Sequence, residues 1–113
     1  PPVFLVPTGT GQLTLAVVFL GVVAISEEVI FRGYLICRFL NLTGRPGFAV
    51  LVAAVIFSLG HGYQRLGGMI GVGVLGVAFG AVYLWRGSLL APMVMHFLQD
   101  FIGVIVIPLQ RGS

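Results

Sequence analysis

Twenty consecutive residues, Leu66 to Trp85, carry no charge at all. That is the length an α-helix needs to cross the hydrocarbon core of a bilayer, and it constrains everything else about the chain. Of its 113 residues, 58% are hydrophobic and only 8% charged, against about 25% charged in a soluble domain. Three further apolar runs, Leu13–Ile25, Phe48–Gly60 and Leu89–Leu98, are too short to span alone. Each becomes long enough only if the polar residues beside it enter the membrane. The first then runs through Glu27, Glu28 and Arg32 to about Leu40; the second takes in His61; the fourth takes in His96, Gln99 and Asp100.

Turn chemistry divides the runs. Asn41 to Pro46, Gly62 to Arg65 and Arg86 to Ser88 are the breaks, with Ser88 placed to cap the last helix and Pro92 in its first turn. The expected fold is an all-α, polytopic membrane helix bundle with about four transmembrane helices, at 12–40, 48–63, 67–85 and 88–108, forming one transmembrane helical domain over 1–113. The chain opens Pro1-Pro2 without an initiator Met, which reads as a fragment or trimmed form of a longer chain. Gly73, Gly76 and Gly80 recur at helical spacing, with Gly67 and Gly71 four apart, and read as close-packing faces between membrane helices. The expected localisation is integral to the membrane, in contact with lipid.

The charges are few and informative. There is no lysine; the six basic residues are arginines set mostly between apolar runs, as membrane-flanking charges are. No basic patch interleaved with aromatics exists, so nucleic acid is not an expected partner. The single Cys37 has no disulfide partner in the chain and reads as inert helix packing.

A charge at the middle of a membrane costs about 2.5–3.5 kcal/mol on insertion scales. Glu27, Glu28, Arg32 and Asp100 together raise that to on the order of 10 kcal/mol before pairing, so these residues mark a site or an ion path. Glu28 and Arg32, four apart, share a helix face and read as a structural ion pair. Glu27 lies about 140° round the helix from Arg32. It keeps no local counter-charge and is the candidate general base. His61 follows Phe57 by four residues, and His96 and Asp100 share a face at the same spacing. With the first and third breaks on one side of the membrane, Glu27, His61 and Asp100 all lie roughly 18–20 Å deep. Two histidines and two carboxylates could also ligate zinc with a position open to water, although no HExxH helix is present.

Taken in order, Glu27-Glu28-xxx-Arg32, Phe57-xxx-His61 and His96-xxx-Asp100 resemble the motif series of the CPBP family, which groups CAAX prenyl endoproteases with bacteriocin-immunity relatives. The resemblance implies an intramembrane endopeptidase in which Glu27 activates water, His61 helps to hold it, and His96 with Asp100 stabilises the oxyanion. Arg32 would pair with Glu28 and brace the first helix. Family members of the CAAX type typically carry Asn where this chain has Asp100, and an ionised Asp cannot donate to an oxyanion. Asp100 is therefore protonated, or orients His96, or serves as a ligand. The implied mechanism requires no cofactor; a zinc ion, if bound, would take Glu27, His61, His96 and Asp100. The implied substrate is a peptide or protein, lipidated in the best-known members. Two other readings compete: a non-catalytic binding, immunity or scaffold protein, and a proton or ion carrier built on the same buried groups.

Overall fold

The structure, a computed structural model, describes residues 7–112. Among the described residues the chain is helical without a strand. Four helices, α1 (Thr10–Thr43), α2 (Pro46–Leu59), α3 (Arg65–Arg86) and α4 (Leu90–Gln110), follow one another as an antiparallel bundle. α1, α3 and α4 are each long and apolar enough to cross a membrane; α2 is a shorter apolar helix. Large apolar side chains such as Leu15, Phe19, Val22, Ile70 and Val74 are exposed on the outside of the bundle, the inverse of a water-soluble surface and the arrangement lipid favours.

The ends follow from local chemistry. α1 stops where Gly44 takes φ 66°, and its N–H bonds the Leu40 carbonyl at 2.7 Å. Gly87 closes α3 in the same left-handed conformation, bonding Tyr83 at 2.9 Å. Glycine takes that conformation without the Cβ clash. Pro46 occupies the first turn of α2, where its missing N–H is not needed. Ser88 Oγ accepts the N–H of Leu90 at 3.1 Å as α4 begins, two residues later than the sequence predicts. α2 departs further from expectation. It ends at Leu59, not near residue 63, so His61 sits in a turn and not on the helix. Gly60 and Gly62 flank it, and helix is entropically unfavourable for glycine. The His61 N–H instead bonds Ser58 at 3.0 Å, and a short 3₁₀ turn, Gly62–Gln64, leads into α3.

Two stretches are π-helix: Val29–Ile36 within α1 and Ile102–Val106 within α4. The first begins directly after the paired glutamates. Its role is visible in the buried stripe of α1, Leu20, Ala24, Glu28, Arg32 and Ile36, which steps by four throughout. In a helix of 3.6 residues per turn such a stripe drifts by about 40° per step. The wider π turn opposes that drift, so Arg32 and Ile36 stay on the face that carries Glu28.

Small residues bring the helices together. Gly73, Gly76 and Gly80 of α3 face Ser58, Ala54 and Val50 of α2, and Ala49, Val50 and Ala53 form a buried core with Ile36 of α1. A Cβ on Gly76 would lie 3.1 Å from Ala54 Cβ, and one on Gly80 would lie 2.9 Å from a Val50 methyl and 3.1 Å from Ile36. A Cβ added to Gly67 or Gly71 would have no neighbour within 4 Å, so the packing face expected of that pair is confined to the later three glycines. Gly80→Val therefore overpacks the junction of α1, α2 and α3 and lowers stability by about 1–3 kcal/mol. Gly71→Val stays within about 0.5 kcal/mol of wild type. Thermal unfolding of the two variants in detergent checks the contrast.

Candidate active site

α1 delivers two adjacent carboxylates to the middle of the bundle, pointing different ways. Glu28 is completely buried. One of its oxygens, Oε1, lies 3.4 Å from the Arg32 guanidinium and accepts a hydrogen bond from His96 Nδ1 at 2.8 Å. Arg32 is buried as well. Its Nη2 donates to the Gly76 carbonyl at 3.4 Å, and its guanidinium carbon stands 4.5 Å from the Phe57 ring centroid and 5.3 Å from that of Phe79. The absent side chain of Gly76 lets α3 approach closely enough for that carbonyl to be reached. The expected Glu28–Arg32 pair is thus present. The sequence reading missed that Glu28 also holds His96, 68 positions away, and no spacing rule could have signalled a contact made between α1 and α4.

Glu27 turns to the other side. Its Oε2 lies 3.7 Å from His96 Nε2 and 4.0 Å from His61 Nε2. This oxygen is buried and has no hydrogen-bond partner among the described residues. His61 Nδ1 donates to the Phe57 carbonyl at 2.8 Å, which leaves the lone pair of the neutral ring on Nε2, facing Glu27. His96 Nε2 is 3.2 Å from Asp100 Oδ2 one turn along α4. The four predicted site residues, from α1, the α2–α3 turn and α4, therefore meet in one place. The meeting does not depend on His61 being helical.

Two phenylalanines frame the histidines. Phe79 stacks on the His96 ring, centroids 5.5 Å apart and planes at 21°, and Phe57 lies 4.6 Å from His61 and 6.0 Å from His96. Phe57 was legible as part of its motif. Phe79 was not, because an aromatic in a long apolar helix has no pattern that separates it from packing.

The group opens into a cavity of about 620 Å³. Glu27, His61, Gln64, His96, Gln99 and Asp100 supply its polar wall, and Leu20, Val23, Val72, Leu75 and Val104 its apolar one. A volume of that order holds a drug-sized ligand or a few residues of peptide.

Residues 9–102 match the family model of the type II CAAX prenyl endopeptidase Rce1-like proteins. The chain belongs to that family. No curated protein and no solved structure matches it. The family is the CPBP group that the three motifs resemble, and its members are membrane-embedded. The chain is accordingly a multi-pass integral membrane protein of a CAAX-type intramembrane protease family. A zinc ion, if bound, would draw on Glu27, His61, His96 and Asp100. Contacts run as a chain from His61 to Glu27 to His96 to Asp100, and among the described residues no three His, Cys, Asp or Glu side chains are grouped to hold one metal.

Removing one partner of a buried ion pair leaves an uncompensated charge and costs about 3–5 kcal/mol. Arg32→Met should lower stability by that amount, whereas Arg38→Met, outside the buried cluster, should change it by less than about 0.5 kcal/mol. Denaturant titration in detergent reads the difference.

Proposed function

We propose that the chain is an intramembrane endopeptidase that hydrolyses a peptide bond with a water molecule activated by Glu27. The observation that carries this reading is the gap between Glu27 Oε2 and His61 Nε2. At 4.0 Å it is too long for a direct hydrogen bond and suits two acceptors bridged by one water. That water would donate one hydrogen to the Glu27 carboxylate and the other to His61 Nε2, leaving an oxygen lone pair directed at the cavity. The Phe57 carbonyl supports the arrangement by holding the His61 proton on Nδ1.

In the reaction the water oxygen bonds to the scissile carbonyl carbon as its proton passes to Glu27. The carbonyl oxygen becomes an oxyanion beside His96 Nε2 and Asp100. His96 Nδ1–H is given to Glu28. A donor toward the oxyanion then comes from a second ring proton on His96 or from a protonated Asp100, and the two are 3.2 Å apart, so either proton serves the same oxygen. Collapse of the intermediate breaks the C–N bond, and the proton held by Glu27 passes to the leaving amine. Every step is supplied by these side chains and water, so no metal is required.

The substrate is a peptide or protein segment that enters the membrane. The apolar wall of the cavity suits an apolar or lipidated flank.

General base catalysis contributes about 10²–10⁴-fold. With the full-length protein in detergent and a panel of fluorogenic lipidated and unlipidated peptides, Glu27→Gln is expected to lose at least about 10²-fold in kcat while unfolding at the wild-type temperature. A chelator is expected to leave the wild-type rate unchanged. Equal cleavage by wild type and Glu27→Gln would remove the water mechanism, and loss of activity on chelation would replace it with a metal-dependent one.

A further inference from the structure

Several polar side chains within the spans of this bundle have partners close by. Thr14 Oγ1 donates to the Thr10 carbonyl at 2.9 Å, Ser58 Oγ donates to Met69 at 2.6 Å, and Cys37 Sγ meets Tyr83 Oη at 3.2 Å. Gln99 is different. It lies well inside α4, and its carboxamide has no hydrogen-bond partner among the described residues. Its side chain is exposed, so its N–H donor and C=O acceptor are both open to a ligand. The Gln99 side chain lines the cavity that holds Glu27, His61, His96 and Asp100.

A carboxamide presents an N–H donor beside a C=O acceptor. The group that complements both at once is another amide, and the commonest amide a protease meets is the peptide group of its substrate. Register agrees. Gln99 stands three residues beyond His96, a rise of about 4.5 Å along the helix. Successive residues of an extended chain are about 3.3–3.6 Å apart. A substrate whose scissile carbonyl sits at His96 therefore brings the neighbouring peptide group within reach of Gln99.

We infer that Gln99 binds the substrate main chain, pairing with the peptide group adjacent to the scissile bond. This rests on the endopeptidase reading above. Recognition through a main-chain amide is indifferent to side-chain identity, so Gln99 sets the register of the chain in the site and not its sequence preference.

The test uses the full-length protein and the best-cleaved peptide of the panel. Gln99→Leu is expected to raise KM about tenfold with kcat within about twofold, the signature of an interaction equal in ground and transition states. Unfolding at the wild-type temperature establishes that the variant is intact. Esters replacing each flanking amide in turn then identify the partner. One ester position should raise KM for wild type by a similar factor and have no further effect on Gln99→Leu. An unchanged KM in Gln99→Leu, or ester effects that simply add to the substitution, overturns the inference alone. Absence of cleavage by wild type overturns the endopeptidase reading, and this inference with it.

Discussion

Glu28 is a carboxylate with no exposure to solvent in the middle of a membrane-spanning helix, and the surrounding structure is organised around supplying it with partners. A lone charge there would be prohibitive. Arg32 provides the counter-charge from the same helix and His96 provides a hydrogen bond from α4. Arg32 is then itself a buried charge. Phe57, Phe79 and the Gly76 carbonyl take up that second demand, which draws α2 and α3 into the cluster. One ion pair thereby ties together all four helices. Truncating any member leaves another group in apolar surroundings without compensation.

The same cluster fixes the groups that line the cavity. His96 is fixed by Glu28 on one nitrogen and stacked on Phe79. Its other nitrogen is left to face Asp100 and the Glu27 carboxylate. Glu27 differs from its neighbour only in direction: a single residue step turns it from the buried seam to the cavity wall. Two adjacent glutamates in one helix thus hold separate positions, one structural and closed, one facing open space. The π segment that begins after them keeps Arg32 and Ile36 on the buried face, and π turns inside helices are frequent at functional sites.

Much of this was legible in the chain. Long uncharged runs left only membrane helices, because an open chain in lipid can satisfy its backbone in no other way. The glycine spacing of α3 marked a packing face, and Glu28 with Arg32 could be paired from spacing alone. The family motifs also marked His61, His96 and Asp100. The helical reading of His61 failed because the short apolar run was extended toward membrane-spanning length, while the conformational cost of Gly60 and Gly62 ends the helix there. The two π stretches were invisible, since their sequences are ordinary apolar helix. Gly67 and Gly71 met nothing, because spacing specifies which residues share a face and not whether a neighbour lies against it.

What the sequence by itself determined is what composition and local periodicity control: membrane residence, an all-helical fold, the approximate spans, and which residues are too costly in lipid to be there without purpose. What only the tertiary structure decided is which of them touch. That His96 answers to Glu28, that Phe79 stacks upon it, that the Gly76 carbonyl meets Arg32, and that Gln99 faces the same cavity as Glu27 all depend on helices distant in sequence being brought side by side. Local rules reach one or two turns along a helix. The angle and depth at which two helices meet are set by how their side chains pack, and that information exists only once the chain is folded.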